Sequence, residues 1–365
     1  MNCSELAHQR LYHQGIVRSV FTSPLDVVRW LGAVQAQDYP AAKWAVGLRL
    51  PGSSLAVVEA AVARREIVRT WALRGTLHLL AAVDLRWLLA LVAPGMMARQ
   101  ASYHRQQGLD AATFERSDRL MQAALLGGHS LPRAEMAAAL NGGGVATHGL
   151  RLNFLLYRAA LQGLICQGEL RDRQETFVLL EEWLLPAPLL EPQPALAELA
   201  RRYFASRGPA TLKDFAWWCG LPAGQVRAAL ELVQEELVQG ELDGQPGYWF
   251  SPAAEPPSSP NLRLLPAFDE YLIGYTDRRA VLDPQHVSHV YGGNVFNPTI
   301  VVDGQVSGIW KRSLRKGMVE VAAQPFTPFR PVEQAAFEAE ARRYANFLGM
   351  EMGQLPGHLQ VRNFR

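Results

Sequence analysis

One order of elements, helix then helix then β-hairpin, is written three times along the chain, and tandem repetition of that kind limits the folds open to it. In the first copy Ser23-Pro24-Leu25-Asp26 reads as a helix start: a hydroxyl cap, a proline in the first turn and a carboxylate near the third amide. Leu25, Val28, Leu31 and Val34 then recur at helical spacing. A second helix begins at Ser54 and carries Leu55, Val58, Ala61 and Val62. Over Ile67–Leu80 two β-prone runs flank Arg74-Gly75, which predicts a hairpin. Helix, helix, hairpin is the order of a winged helix-turn-helix.

The second copy runs through Phe114–Leu126, Leu131–Leu140 and Thr147–Gln162 to a hairpin of Leu164–Leu170 with Thr176–Leu180. The third has a helix over Ala195–Ser206, a capping box at Thr211–Asp214 and a helix over Val226–Glu236. It closes with Leu237–Leu242 and Tyr248–Phe250 across Asp243-Gly244. Residues 251–260 form a Pro/Ser linker too polar and stiff to pack. Beyond it come short strands at Leu262–Leu265, Thr299–Val302, Val306–Lys311 and Gly317–Ala322, with a turn at Asp303-Gly304. A last helix spans Val332–Phe347. The expected class is α+β and mostly helical. Winged helices are expected over 1–108, 109–190 and 191–252, and a small C-terminal β-barrel or sandwich with the terminal helix over 261–365.

Composition narrows the function classes. Of 365 residues 49% are hydrophobic and 19% charged, which suits a large core and excludes broad disorder. No apolar run reaches the roughly 20 residues of a spanning helix; Trp87–Val92 is followed at once by Pro94. The first ten residues lack a basic-then-apolar signal layout, so a soluble, cytoplasmic protein is expected, with no membrane partner. Cys3, Cys166 and Cys219 are widely spaced, and His286 and His289 have no clear third ligand, so neither disulfides nor a metal are expected, nor any cofactor. Net charge is only +2, but 32 of the 36 basic residues are arginine. A GC-rich genome accounts for that bias. Between Arg64 and Arg119 nine arginines face five acids, a balance compatible with a nucleic-acid face.

Familiar catalytic layouts are absent. Gly142-Gly143-Gly144 lacks the lysine of a phosphate loop and follows a helix rather than a strand. Glu181-Glu182 reads as a solvated strand end. What stands out is Val34-Gln35-Ala36-Gln37-Asp38-Tyr39-Pro40. Glutamines two apart share a face of extended chain and not of a helix. If both serve one substrate atom, the chain must leave its helix near Val34, and Pro40 makes an exit hereabouts plausible.

Four stretches resemble one bacterial family: His8-Gln-Arg-Leu11 with Gln14, Val34–Tyr39, Arg69-Thr-Trp-Ala-Leu-Arg-Gly-Thr-Leu-His78, and Leu265-Pro-Ala-Phe-Asp-Glu-Tyr-Leu-Ile-Gly-Tyr-Thr-Asp-Arg278. They occur in order over nearly the whole chain and look like the winged-helix "helix-turn-helix 42" proteins, which include the AlkZ-type DNA glycosylases. The resemblance implies three tandem winged helices and a C-terminal β-barrel around a DNA-sized channel. It also implies a catalytic Gln–hydrophobic–Gln motif, which falls on Gln35 and Gln37 with Ala36 as a small middle residue. A sister branch carries Gln–hydrophobic–Asp.

Neutral amides make chemical sense in such an enzyme. Cleavage of an ordinary glycoside needs a carboxylic acid because the leaving oxygen must be protonated. A purine alkylated at N3 or N7 is already cationic, so the protein has only to hold a water below C1′ and stabilise an oxocarbenium-like sugar. Gln37 is expected to position the water and Gln35 to assist, in a monofunctional DNA glycosylase acting on alkylated purines, including bulky or crosslinked ones. For contacts with duplex DNA, largely independent of sequence, the expected residues are Lys43, Arg69, Arg74, His78, Arg171, Arg173, Lys311 and Arg312, the last two in a basic run with Arg315 and Lys316. The plainer readings are wing core for the hairpin residues and a charge-protected strand edge for the basic run. Asp269, Tyr271, Tyr275 and Arg278 read as a buried polar cluster, and Trp30, Trp44, Trp87, Trp183, Trp217 and Trp218 as core. The chain is expected to be monomeric; the alternative function is a non-enzymatic winged-helix DNA-binding protein or regulator.

Overall fold

A computed structural model describes residues 1–251, 259–293 and 295–353, so most of the expected linker over 251–260 lies outside the described residues. The fold is α+β and mostly helical. Ser23 starts its helix as the sequence implies: its hydroxyl accepts from the Asp26 amide at 3.1 Å while the Asp26 carboxylate accepts from the Ser23 amide at 2.9 Å. That helix, Pro24–Leu31, stops earlier than its apolar spacing suggests, because Gly32 takes a positive φ of 71°. A short strand β1 (Val34–Gln35) follows, and a new helix, Tyr39–Leu48, begins where Asp38 caps the Ala41 amide at 3.0 Å. Pro40 therefore opens a helix. Pro94 likewise interrupts nothing: it sits inside the 22-residue helix Leu85–Gln106. Among the described residues no helix is long and apolar enough to cross a membrane.

The first hairpin pairs β2 (Ile67–Trp71) with β3 (Leu77–Ala81), turning where Arg74 and Gly75 both have positive φ. The second unit supplies β4 (Leu131–Pro132), β5 (Ile165–Gln167) and β6 (Thr176–Leu179). The two hairpins do not stand apart. They join edge to edge through the Arg69–Gln167 pairing into one six-stranded sheet ordered β1-β3-β2-β5-β6-β4. The third unit keeps a small sheet of its own from β7 (Ala210–Thr211), β8 (Val238–Leu242) and β9 (Gln245–Trp249), ordered β7-β9-β8. Its capping box forms as expected, with Thr211 Oγ1 accepting from the Asp214 amide at 3.1 Å.

The C-terminal strands are β10 (Leu262–Leu265), a small pair β11 (Tyr291–Gly292) and β12 (Val295–Phe296), β13 (Thr299–Val302), β14 (Gln305–Arg315), β15 (Met318–Pro325) and β16 (Glu351–Met352). Five of them make one curled sheet, β10-β13-β14-β15-β16. This corrects the expected barrel or sandwich. The sheet is a half-barrel open between β10 and β16, and the helix Pro331–Leu348 and the first helical unit cover it. Trp44, Trp310, Tyr344 and Phe347 pack ring to ring at about 5 Å, and the indoles of Trp44 and Trp310 donate to the Leu264 and Leu265 carbonyls, each at 2.8 Å. One continuous apolar core thus runs from the first helices into the last sheet. Trp87 and Trp218 are also buried, whereas Trp30 and Trp217 are 38% and 47% exposed, against the expectation that all six tryptophans lie in the core.

The segment Asp269–Tyr275 ties these parts together. Arg49 grips Asp269 with two bonds of 2.9 and 2.8 Å, both side chains fully buried. The Tyr271 hydroxyl donates to the Gly304 carbonyl at 2.8 Å, and the Tyr275 hydroxyl receives the Gln14 amide at 3.0 Å and donates to the Arg207 carbonyl at 2.9 Å. Arg278 stands apart from that cluster, half-buried, donating to the Leu272 carbonyl and lying over Tyr291. Removing one partner of a buried pair leaves an uncompensated charge and costs about 3–5 kcal/mol. Asp269→Ala is therefore expected to lose about that much unfolding free energy in urea titrations, whereas Asp277→Ala at the surface should change it by less than about 1 kcal/mol.

Candidate active site on a clamped strand

Gln35 ends the strand β1, and Gln37 lies two residues on, in the bend that leads into helix Tyr39–Leu48. The Ala36 amide donates to the Leu77 carbonyl at 2.7 Å and its carbonyl accepts Arg69 Nε at 2.9 Å, with the Ala36 methyl fully buried. Side chains alternate along extended chain, so the Gln35 side chain turns away from the buried Ala36 methyl. Gln35 is half-buried and Gln37 exposed. The Gln37 carbonyl accepts from the Leu77 amide at 3.3 Å, which fixes its direction while leaving its amide N–H groups and a second lone pair free.

A buried ion pair holds this strand from behind. Arg207, at the end of helix Pro192–Arg207, donates Nη1 to the Leu31 carbonyl at 2.7 Å and Nη2 to the Ala33 carbonyl at 3.1 Å. It also binds Glu270 at 2.6 Å, and both side chains are fully buried. Glu270 in turn accepts from the Gln35 amide at 3.1 Å and from the Trp218 indole at 3.1 Å. Burial alone would raise the Glu270 carboxyl, but Arg207 and Arg74 outweigh it and hold it below the usual carboxylate range. It is thereby favoured as a buried anion beside Arg207.

Several residues expected on a DNA-facing surface are instead used inside. His78 is fully buried, its Nδ1 2.9 Å from the Thr76 carbonyl; burial above all, then Arg74, pushes it down to about 4, so at neutral pH it is uncharged and touches no solvent. Arg69 is buried between the Ala36 carbonyl, Gln167 and the Glu175 carboxylate. Lys43 is buried against Glu59 at 2.6 Å and the Tyr39 ring. Arg74 is half-buried: the hairpin tip packs on helix Leu212–Cys219, and Nη1 donates to the Trp218 carbonyl at 2.7 Å. Arg69, Lys43 and Arg74 are each drawn inward by a partner, whereas His78 is buried as a neutral ring. Arg171, Arg173 and Lys311 are exposed, Arg171 being paired with Glu135. Arg312 bonds the Tyr344 hydroxyl and lines, with Asp38, Trp44, Pro266 and Trp310, a cleft of about 80 Å³ beside the Gln37 segment.

With this geometry in view, known proteins give a clear match. A family profile described as "DNA glycosylase AlkZ-like" covers residues 28–347. The chain belongs to the AlkZ-like DNA glycosylase family. It is accordingly an enzyme of the DNA glycosylase kind, with DNA as its partner class. An "interstrand DNA cross-link repair glycosylase" of Streptomyces sahachiroi is 29% identical over 366 residues, spanning 93% of this chain and 95% of that one. The solved structure of Streptomyces sahachiroi DNA glycosylase AlkZ superposes with a TM-score of 0.78 at 26% identity, covering 97% of this chain and 99% of the other.

Within this family member, sequence reasoning overlooked Glu270 and Arg207. Glu270 had a signal, standing beside Asp269 in a stretch already singled out; Arg207 had none, because its role depends on partners 63 and 176 residues away. Among the described residues no three His, Cys, Asp or Glu side chains cluster as a metal site, and the rings of His286 and His289 pack on Phe326.

The buried histidines predict a pH response. His13, nearly buried, is also pushed down to about 4, chiefly by burial. Both rings are neutral in the native state but protonate near 6.5 when unfolded, so stability is full above about pH 6.5 and declines as pH falls toward about 4. Each contributes a loss of roughly 3 kcal/mol across that window. Urea midpoints measured from pH 7 to pH 4 should fall steadily, and less steeply in His78→Gln.

Proposed function

We propose that this protein is a monofunctional glycosylase that hydrolyses the N-glycosidic bond of cationic N3- or N7-alkylated purines in duplex DNA, bulky and crosslinked adducts included. Gln37 holds the attacking water and Gln35 assists. The observation that supports this reading is the anchoring of Gln35 through its backbone N–H to Glu270, with Gln37 just beyond the strand end, open to solvent and aimed by the Leu77 amide. Such anchoring is what preorganised dipoles need in order to stabilise charge that develops only in the transition state.

The nearby carboxylates support the same chemistry. Glu270 is sealed and held ionised, and Asp38 is committed to capping a helix. Neither is placed to protonate a leaving group. A substrate whose base already bears a positive charge needs no such acid, and the crosslink-repair glycosylase of Streptomyces sahachiroi is a relative in keeping with bulky adducts. The three helix–hairpin units, over 1–108, 109–190 and 191–252, are proposed to serve as winged helices of a cytoplasmic monomer. Arg171, Arg173, Lys311 and Arg312 are proposed to meet the phosphate backbone irrespective of sequence.

Gln37→Ala is expected to keep the melting midpoint and duplex affinity while slowing single-turnover release of 7-methylguanine by about 10²-fold or more. Unchanged release would remove Gln37 from the chemistry. Arg173→Ala and Lys311→Ala should each weaken binding to random-sequence duplex and lower the salt slope by about one.

A further inference from the structure

Opposite Gln35 in the strand ladder stands His78, and opposite His78 on the next strand stands Thr70. Directly opposed residues on antiparallel strands project from one face with Cβ atoms about 4.5–5.5 Å apart. Gln35, His78 and Thr70 therefore form a polar row across β1, β3 and β2. The Nδ1 of His78 lies 2.9 Å from the Thr76 carbonyl. A carbonyl can only accept, so Nδ1 carries the proton and the neutral ring leaves Nε2 as a bare acceptor. That Nε2 is buried without a hydrogen-bond partner, and Thr70 Oγ1 is likewise unpaired. On the other side of His78, the half-buried Gln35 binds Glu270 through its backbone, and among the described residues its side-chain amide makes no hydrogen bond.

A glutamine amide is nearly symmetric in shape but opposite in polarity at its two ends, so its use in a reaction depends on which end faces the substrate. We propose that His78 is a positioning residue for Gln35: its unprotonated Nε2 receives the Gln35 amide N–H, directly or through one water, and so turns the Gln35 carbonyl outward to the attacking water and the sugar. The idea rests on the reading of Gln35 and Gln37 as the pair that handles water. The groups around the ring keep the acceptor bare. Burial and the cations Arg74 and Arg207 oppose protonation, Glu270 and the Thr76 carbonyl favour it, and the former prevail. Gln37 has its own aiming bond, from the Leu77 amide, so the two glutamines are directed by different devices.

The test is single-turnover release of 7-methylguanine from methylated duplex by the full-length protein, with duplex affinity and melting midpoint measured in parallel. His78→Asn keeps a donor toward Thr76 but has no group at the Nε2 position; His78→Gln reaches that position with an amide. His78→Asn should slow release about tenfold, the scale of one lost hydrogen bond, at unchanged affinity. His78→Gln should recover to within about threefold of wild type, and His78→Asn should add nothing once Gln35→Ala is present. Wild-type release by His78→Asn, with Gln35→Ala slow, overturns the positioning role and leaves the glutamine reading intact. Wild-type release by Gln35→Ala overturns that reading and this proposal with it. Equal slowing by His78→Asn with and without Gln35→Ala also overturns the proposal, since His78 would then act through another partner, Thr70 first. Should His78→Asn melt early, His78→Gln with a near-native midpoint decides: release within about threefold supports the role, and a loss beyond about tenfold overturns it.

Discussion

The pairing of Arg207 with Glu270 joins three stretches of chain that have no other reason to meet. One partner ends a helix of the third unit, the other opens the turn after β10, and between them they hold the backbone from Leu31 to Gln35. Two fully buried charges are costly to desolvate, and the cost is offset only when every donor and lone pair is used. Here Arg207 serves two carbonyls, a serine hydroxyl and a carboxylate, while Glu270 serves an amide, an indole and the guanidinium. A strand of two residues has almost no stability of its own. Its position is held by this pair together with its ladder to β3.

The same logic runs through the interior. Arg49 satisfies Asp269, the Gln14 carbonyl and the Ala45 carbonyl, and Arg10 donates to the Pro209 carbonyl with its guanidinium over the Tyr275 ring. A guanidinium has five donors in a planar fork and can close several irregular backbone ends at once, which an ammonium cannot. Where helices end and short strands begin, unpaired carbonyls accumulate. The arginine-rich composition is partly spent there rather than on the surface.

This explains which features were legible in the sequence. Local chemistry read well: the Ser23 cap, the Thr211–Asp214 box, the Arg74-Gly75 turn and the exit of the chain from its helix before Gln35 all depend on residues within a few positions of one another. Long-range pairing did not. Nothing local says that the first two hairpins join at Arg69 and Gln167, that the last sheet stays open, or that Lys43, Arg69 and His78 are drawn inward. A basic residue near a motif looks the same in sequence whether its counter-charge is a phosphate or, as for Arg69, a glutamate over a hundred positions downstream.

Ala36 separates the two amides while its methyl group sits in the core with no exposed surface. The residue between the two glutamines is thus constrained by packing volume. Its backbone N–H and carbonyl are both engaged, by Leu77 and Arg69, so the residue is held on every side. A bulkier residue there would have to push the chain off Leu77 and Arg69, so interior volume limits what can stand between the two glutamines.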